Sequence, residues 1–160
     1  MSETVHGTAV LVGAQGVLIR GASGAGKSSL ALALIERGGR LIADDQVHLS
    51  VCHGWLVATA PGAVRGKLEL RGRGILSVAH EQSALIRLVV DIVPDEGLER
   101  LPEDHQLTGE LLGVTLSRQP VPATHDLARA LVSAALRALS PGGNMACARR
   151  EFGEDGDPFS

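Results

Sequence analysis

The feature that most constrains the fold is a glycine-rich pattern at residues 21–28. It has the form G-x-x-x-x-G-K-[ST] and is filled by Gly21, Ala22, Ser23, Gly24, Ala25, Gly26, Lys27 and Ser28. An apolar run at 16–20 precedes it and a run with helical spacing at 29–37 follows it, which is the strand, loop and helix order that the motif requires. Glycines let successive backbone N–H groups point inward, and the helix adds the positive end of its dipole. The sequence therefore predicts an α/β fold with a loop that cradles phosphate oxygens.

The last residues of the loop have side chains suited to a bound triphosphate. Lys27 would reach the β- and γ-phosphates, and the hydroxyl of Ser28 would take one position on Mg²⁺. Ser29 opens the helix and is counted with the loop as a binding residue. The alternative is a glycine-rich turn that binds no ligand, and the flanking strand and helix argue against it.

Composition excludes several other classes of function. The 160 residues carry a formal net charge of −3, and the 15 lysines and arginines form no basic stripe, which argues against a nucleic-acid-binding surface. One Trp and two Phe leave few side chains on which bases could stack. No apolar run reaches the roughly 18 residues of a membrane span. Two cysteines without a signal peptide predict reduced thiols in a cytoplasmic protein.

Apolar periodicity predicts a single domain over residues 1–140. Strands are expected at 5–12, 16–19, 40–45 and 84–93, a hairpin at 47–60, and helices at 29–37 and 121–139. Strand 40–45 should cross over to lie beside the phosphate-loop strand. The apolar side of the second helix is expected to comprise Leu127, Leu131, Ala134, Ala135 and Leu139. Residues 141–160 are polar after a Pro-Gly-Gly sequence and are predicted to be a flexible tail.

An acidic pair is the second candidate for chemistry. Asp44 and Asp45 end the strand that is predicted to lie next to the phosphate loop, at the edge where open α/β sheets bind ligands. Alternation along a strand would send their side chains to opposite sides, so one of them should face the transferred phosphate. The alternative is a pair of solvated turn residues.

Three further features are ambiguous without context. His6 opens the first strand, where a histidine is usually a surface residue. Residues 68–76 interleave charges and glycines, which fits either a half-exposed strand or a charged loop over an active site. Arg100 lies in a polar stretch where most arginines face water.

Taken together, these residues resemble the catalytic domain of the HPr kinase/phosphorylase family over roughly residues 5–139. In that family a histidine precedes the first loop glycine by fifteen residues, as His6 precedes Gly21 here. Its Ala-Asp-Asp strand end is matched at 43–45, and its signature E-I-R-G-L-G-I-I is matched by Glu69-Leu-Arg-Gly-Arg-Gly-Ile-Leu76. An Arg-Leu pair about twenty residues before a Pro-Val pair is matched by Arg100-Leu101 and Pro120-Val121.

The resemblance implies a P-loop kinase domain related to phosphoenolpyruvate carboxykinase, with a mixed sheet and flanking helices. It implies ATP- and Mg²⁺-dependent transfer to a serine of HPr, the small phosphocarrier protein of the sugar phosphotransferase system. Asp45 would be the base that accepts the serine proton, with Asp44 beside it. Ser28 and Glu69 would hold the metal, and His6 and Arg100 would line the phosphate.

Several departures from the family pattern shape these expectations. The chain begins almost at the catalytic histidine, so it resembles a short form without the family's N-terminal domain, and a homo-oligomer, hexameric in the family, is expected by analogy. The family's Pro-Val-Arg-Pro-Gly-Arg loop is associated with reverse phosphorolysis, but both arginines are replaced here, by Pro122 and His125. Weak phosphorolysis is therefore predicted.

Two other functions remain open at this point. The phosphate loop does not itself specify the acceptor, so a small-molecule kinase is one alternative. A non-catalytic ATP-binding sensor is the other, and it would leave Asp45 without a catalytic role.

Overall fold

The computed structural model describes residues 1–139. The predicted tail, residues 141–160, lies outside them. The strands are β1 (Ser2–His6), β2 (Thr8–Val12), β3 (Gln15–Arg20), β4 (Arg40–Ala43), β5 (Gln46–Cys52), β6 (Trp55–Thr59), β7 (Lys67–Leu70), β8 (Gly74–Ser77), β9 (Ser83–Ile92), β10 (Thr108–Leu111) and β11 (Val114–Val121). The helices are α1 (Lys27–Glu36) and α2 (His125–Ala138), and two short 3₁₀ turns span Asp95–Gly97 and Asp104–Gln106.

Nine strands of the described chain form one mixed sheet, as expected for an α/β fold. Its path is β1-β5-β6-β9-β3-β2-β4, and β11 joins β9 and carries β10 on its other side. The start of β9 pairs with β6, and the rest of β9 runs parallel to β3 and β11. Strand β9 therefore links the phosphate-loop region to the rest of the sheet.

Side-chain alternation on the central strands creates two cores. On β3, Val17 and Ile19 pack into the core that includes the buried residues of both helices. Leu18 points to the other face, into the core formed with β5 and β6. Both helices thus cover one face of the sheet while the β5–β6 hairpin covers the other, and neither helix has the length and hydropathy for crossing a membrane.

The prediction of one strand at 5–12 is wrong, because the chain changes partner at Gly7. Strand β1 pairs with β5, whereas β2 pairs with β3 and β4. A Cβ atom at Gly7 would lie 2.8 Å from the backbone oxygen of Ile19, so only glycine permits this approach. The expected hairpin at 47–60 and the strand at 84–93 are confirmed as β5–β6 and β9.

The predicted position of strand 40–45 is also wrong. Strand β4 pairs antiparallel with β2, and β2 lies between β4 and the phosphate-loop strand β3. The tight β2–β3 hairpin already occupies that side of β3, and β9 occupies the other. The acidic pair therefore reaches the loop from two strands away.

Helix α2 begins later than predicted, and its buried side comprises different residues from those expected. Residues up to Val121 belong to β11, a strand that the apolar pattern did not predict, and the helix starts at His125. Its fully buried residues are Ala128 and Val132, whereas Leu127 is 47% exposed. The apolar side is thus rotated by about one residue, although Leu131, Ala135 and Leu139 do pack against the core.

Candidate active site

The phosphate loop joins β3 to α1 as the sequence predicts. Gly24 and Gly26 have φ angles of 80° and 105°, which favour glycine over residues with a Cβ atom. The N–H of Ala25 donates to the carbonyl of Ala22 at 3.0 Å and tightens the turn. Gly26 is the N-cap of α1, so the N–H groups of the first helical turn open toward the loop.

Lys27 lies inside this loop and is 8% exposed. Its ammonium group donates to the carbonyl oxygens of Gly21 and Ala22, each at 2.9 Å. The two residues that open the motif therefore hold the lysine. The charge of Lys27 is positioned at the centre of the turn, where phosphate oxygens would bind.

Asp44 is fixed by three hydrogen bonds from three parts of the chain. Its Oδ1 accepts from the hydroxyls of Thr8 at 3.0 Å and Ser28 at 3.2 Å, and its Oδ2 accepts from the backbone N–H of Glu69 at 3.0 Å. Thr8 is 1% exposed, so this carboxylate also satisfies a buried hydroxyl. Asp44 thus connects the loop serine to the β7–β8 hairpin.

Asp45 is held differently, although it is the next residue. Its φ angle is 71°, a conformation that is uncommon for residues other than glycine and that often marks functional sites. Its carboxylate lies 3.4 Å from Nδ1 of His6 and is 74% exposed. Because β4 ends at Ala43, strand alternation does not govern the acidic pair, and both side chains line the same cavity.

The cavity has a volume of about 580 Å³. It is lined by His6, Thr8, Ser23, Gly24, Ala25, Gly26, Lys27, Ser28, Ser29, Asp44, Asp45, Glu69, Leu70, Arg71, Ala123 and His125. The fold therefore brings most of the sequence-predicted site residues to one place. For segment 68–76 the sequence left open a half-exposed strand or a charged loop over the site. The segment forms the β7–β8 hairpin and also borders the cavity.

Arg100 is the exception among the candidate residues outside the phosphate loop. It lies on an exposed segment between the two 3₁₀ turns and is not part of the cavity lining. Its assignment to the phosphate rests on the family resemblance and stays a prediction.

Three polar lining residues, Thr8, Arg71 and His125, were absent from the site predicted from sequence. Arg71 sits in the hairpin turn, and a Cβ atom at Gly24 would lie 3.7 Å from its guanidinium group. Arg71 was visible within the signature segment, but nothing in the sequence placed it over the loop. His125 was noted only as a replaced arginine. Thr8 gave no signal, because its role depends on the distant Asp44.

These residues fit a nucleotide with its magnesium ion. Backbone N–H groups, Lys27 and Arg71 supply positive potential for phosphates, while Ser28, Asp44 and Glu69 supply oxygen ligands of the kind that Mg²⁺ prefers. Within residues 1–139, no cluster of three or more His, Cys, Asp or Glu side chains forms a metal site. A magnesium ion here would therefore depend partly on substrate oxygens, as is usual where it accompanies phosphates.

A solved structure resembles this fold closely. It is described as the Hpr(Ser) kinase/phosphatase from Coxiella burnetii and matches with a TM-score of 0.73 at 27% sequence identity. The match covers 84% of this chain and 88% of the other. The protein thus has the fold of a P-loop kinase.

Curated relatives carry the same family name. HPr kinase/phosphorylase from Clostridium novyi is 39% identical over 128 residues, which are 74% of this chain and 41% of the relative. HPr kinase/phosphorylase from Bordetella pertussis is 38% identical over 156 residues, which are 85% of this chain and 48% of the relative. The chain spans less than half the length of these relatives. The sequence model for the HPr Serine kinase C-terminal domain matches residues 1–154, and the chain belongs to that family.

Proposed function

We propose that this protein is an ATP-dependent serine kinase that phosphorylates an HPr-like phosphocarrier protein. The observation that carries the proposal is one cavity in which a phosphate loop with Lys27 and Ser28 faces Asp45 and His6. A phosphoryl-transfer site needs positioning and charge neutralisation on one side and a group that orients the acceptor on the other. The family membership supplies the class of acceptor.

The triphosphate of ATP binds along residues 21–29. Lys27 is held by two carbonyl oxygens and exchanges part of this hydrogen bonding for contacts with the β- and γ-phosphates. Arg71, whose guanidinium group lies close to Gly24, adds a second cation beside the loop. Together they offset the charge that the phosphates bring into the cavity.

Ser28 and Glu69 hold Mg²⁺, and Asp44 joins them because it already contacts the Ser28 hydroxyl. The bound ion neutralises phosphate charge. Glu69 reaches the site through its place in the hairpin, where its backbone N–H donates to Asp44. The position of the hairpin is therefore linked to the position of the loop serine.

Asp45 is the base for transfer. The acceptor serine oxygen forms a bond to the γ-phosphorus, the bond from that phosphorus to the β,γ-bridging oxygen breaks, ADP leaves, and the serine proton passes to the Asp45 carboxylate. Its high exposure lets a side chain on the surface of another protein reach it. His6, within 3.4 Å of Asp45, orients that carboxylate and lines the transferred phosphate.

Reverse phosphorolysis is expected to be weak. Ala123 and His125 line the cavity, and the two arginines of the family pattern are replaced by Pro122 and His125. An anionic attacker approaching a phosphoserine needs local positive charge, and one histidine replaces two permanent guanidinium groups poorly. We expect a cytoplasmic enzyme whose residues 1–140 form the catalytic domain, and a hexamer by family analogy.

Two alternatives compete with this proposal. A small-molecule kinase would use the same loop, but the 74% exposure of Asp45 favours an acceptor that approaches from outside. A non-catalytic sensor would bind ATP without transfer, and the Asp45 carboxylate beside His6 in the same cavity as the loop favours a catalytic role over it.

The test is incubation with labelled ATP, Mg²⁺ and the HPr-like protein of the same organism. Mass spectrometry of the product should locate one phosphate on a serine. A matched acceptor with that serine replaced by alanine serves as the control. Label in a small molecule would support the first alternative, and ATP binding without transfer to any acceptor would support the second.

A further inference from the structure

Asp91 lies at the centre of an ion network that the catalytic residues do not use. Arg20 donates from Nε to Oδ1 at 2.7 Å and from a terminal nitrogen to Oδ2 at 2.8 Å. Arg118 donates from Nε to Oδ2 at 2.6 Å. The Asp91 side chain is 15% exposed, so these charge-assisted hydrogen bonds are partly shielded from water.

The two arginines belong to strands on either side of β9. Arg20 is paired with Asp91 in the β3–β9 ladder, and Asp91 faces Pro120 in the ladder between β9 and β11. Pro120 has no N–H to donate to that ladder. The side-chain bond from Arg118 therefore adds a link between β9 and β11 near a position where the backbone cannot supply one.

Each of these strands leads into a different wall of the cavity. Strand β3 ends at Arg20, and the next residue, Gly21, begins the phosphate loop. Gly21 packs on Ile92, the residue after Asp91, so closely that a Cβ atom there would lie 3.2 Å from the Ile92 Cβ. Strand β11 ends at Val121 and continues into Ala123 and His125, which line a second wall of the same cavity.

We propose that Asp91 is a positioning residue that fixes the phosphate loop relative to the Ala123–His125 wall. The Asp91 carboxylate accepts hydrogen bonds from Arg20, which precedes the phosphate loop, and from Arg118, on the strand that leads to Ala123 and His125. It thereby sets the distance between the loop and these two residues, between which a triphosphate must fit. Its effect on catalysis rests on the proposed kinase function. Its effect on the loop does not, because the network is formed by side chains of this chain alone.

The bonds from Arg20 (the Arg20 arm) and the bond from Arg118 (the Arg118 arm) should have separable effects. The Arg20 arm acts on the loop, where the Ala25 N–H is bonded to the Ala22 carbonyl at 3.0 Å. The Arg118 arm acts on the second wall, and it also holds the segment before β10 through the carbonyl of Gln106 at 2.8 Å. Loss of the Arg20 arm should loosen the loop more than loss of the Arg118 arm.

The experiment compares Arg20→Met, Arg118→Met and Asp91→Asn with Glu81→Gln as the control. Methionine keeps an unbranched apolar side chain of similar length but lacks the guanidinium group and its N–H donors. Glu81 forms an ion pair of similar length with Arg40, at 2.9 Å, on an exposed part of the sheet away from the cavity. The readouts are hydrogen exchange at the Ala25 amide in the free protein and the Kd for ATP.

Arg20→Met and Asp91→Asn should speed exchange at Ala25 while leaving exchange in the β5–β6 hairpin unchanged. They should also weaken ATP binding by about tenfold, the size expected when a hydrogen bond to a charged group is removed. Arg118→Met should change Ala25 exchange less, and Glu81→Gln should change neither readout.

Unchanged Ala25 exchange in folded Arg20→Met protein would overturn the inference, and so would equal acceleration at Ala25 and in the hairpin, which indicates a global stability effect. If Asp91→Asn does not fold, the two arginine variants decide. Failure of the wild-type protein to bind ATP would reject the proposed function, whereas Ala25 exchange would still decide the role of Asp91.

Discussion

The hydroxyl of Ser28 donates to Oδ1 of Asp44 at 3.2 Å, which joins the first turn of α1 to the end of β4. Ser28 follows the loop after β3 and Asp44 follows β4, and β2 separates these two strands in the sheet. The same carboxylate holds the Glu69 backbone and the Thr8 hydroxyl. Asp44 is therefore a structural centre of the cavity and contacts Ser28, a residue proposed to hold magnesium, whereas the Asp45 side chain is exposed.

Replacement of Lys27 should remove ATP binding. Lys27→Ala deletes a buried ammonium group that compensates phosphate charge, and a hydrogen bond to a charged group contributes about 1.5–3 kcal/mol. We expect ATP affinity to fall by roughly ten- to a hundredfold for each hydrogen bond to phosphate that is removed, as measured by calorimetric titration. Lys67→Ala is the matched control, since Lys67 bonds the Ser77 hydroxyl on an exposed strand. Undiminished ATP binding in Lys27→Ala would reject the phosphate-loop assignment.

Glu69 should act through the metal. Glu69→Gln keeps the size of the side chain and the backbone bond to Asp44 but removes one anionic oxygen ligand. The Mg²⁺ concentration for half-maximal transfer should rise by several-fold, with little change in thermal stability. Glu110→Gln, on exposed β10, should leave the titration unchanged. A wild-type Mg²⁺ curve for Glu69→Gln would show that Glu69 is not a ligand.

Asp91 should make stability depend on pH in the acid range. Burial raises the pKa of Asp91, but hydrogen bonds and charges from Arg20 and Arg118 lower it by more, so its pKa lies below the ordinary value. A depressed pKa in the folded state means that the unfolded chain binds the proton more readily. The stabilisation is therefore complete above the unfolded pKa of about 3.9 and is lost as pH falls through the folded pKa.

Urea unfolding from pH 3 to 7 checks this dependence. The difference in unfolding free energy between wild type and Asp91→Asn should be constant at neutral pH and should shrink below about pH 4. Glu81→Gln provides the comparison with an exposed ion pair. A difference that stays the same across the whole range would contradict the assigned pKa direction.

The proposed kinase should transfer phosphate to serine faster than it catalyses the reverse phosphorolysis. In phosphorolysis, inorganic phosphate attacks the phosphoserine phosphorus, the bond to the serine oxygen breaks, the serine regains a proton and pyrophosphate is released. With His125 in place of an arginine, pyrophosphate release at pH 7.5 should be far slower than forward transfer, and His125→Arg should increase it. Wild-type release that matches the forward rate would show that the missing arginines are dispensable.

The sequence predicted those parts of the fold and of the site that are formed by residues close together in the chain. The loop at 21–28, its flanking strand and helix, and the β5–β6 hairpin follow from local patterns of glycine and apolar residues. His6 and Glu69 were predicted as site residues from the spacing of family motifs, and both line the cavity.

Interactions between distant segments could not be predicted in this way. Strand alternation predicted that the side chains of Asp44 and Asp45 point to opposite sides, but both residues line one cavity, because β4 ends at Ala43 and Asp45 takes a φ angle of 71° before β5. Thr8, Arg71 and Asp91 interact with residues far away in the chain, and no local pattern marks such pairs. The predicted place of β4 beside β3 was wrong for the same reason, since β2 pairs with β3 at the side where β4 was expected.

The most direct test of the kinase proposal compares wild-type protein with Asp45→Asn in one assay of ATP binding and serine phosphorylation. Asparagine keeps the shape of the side chain but accepts no proton at the working pH, and the exposed Asp45 carboxylate contacts His6 rather than the lysine or serine of the loop. Asp104→Asn, in an exposed turn, is the matched control. We predict that Asp45→Asn binds ATP as the wild type does and transfers phosphate to the HPr-like serine at least about a hundredfold more slowly, consistent with general-base contributions of about 10²–10⁴. Transfer by Asp45→Asn at the wild-type rate would show that Asp45 is not the base.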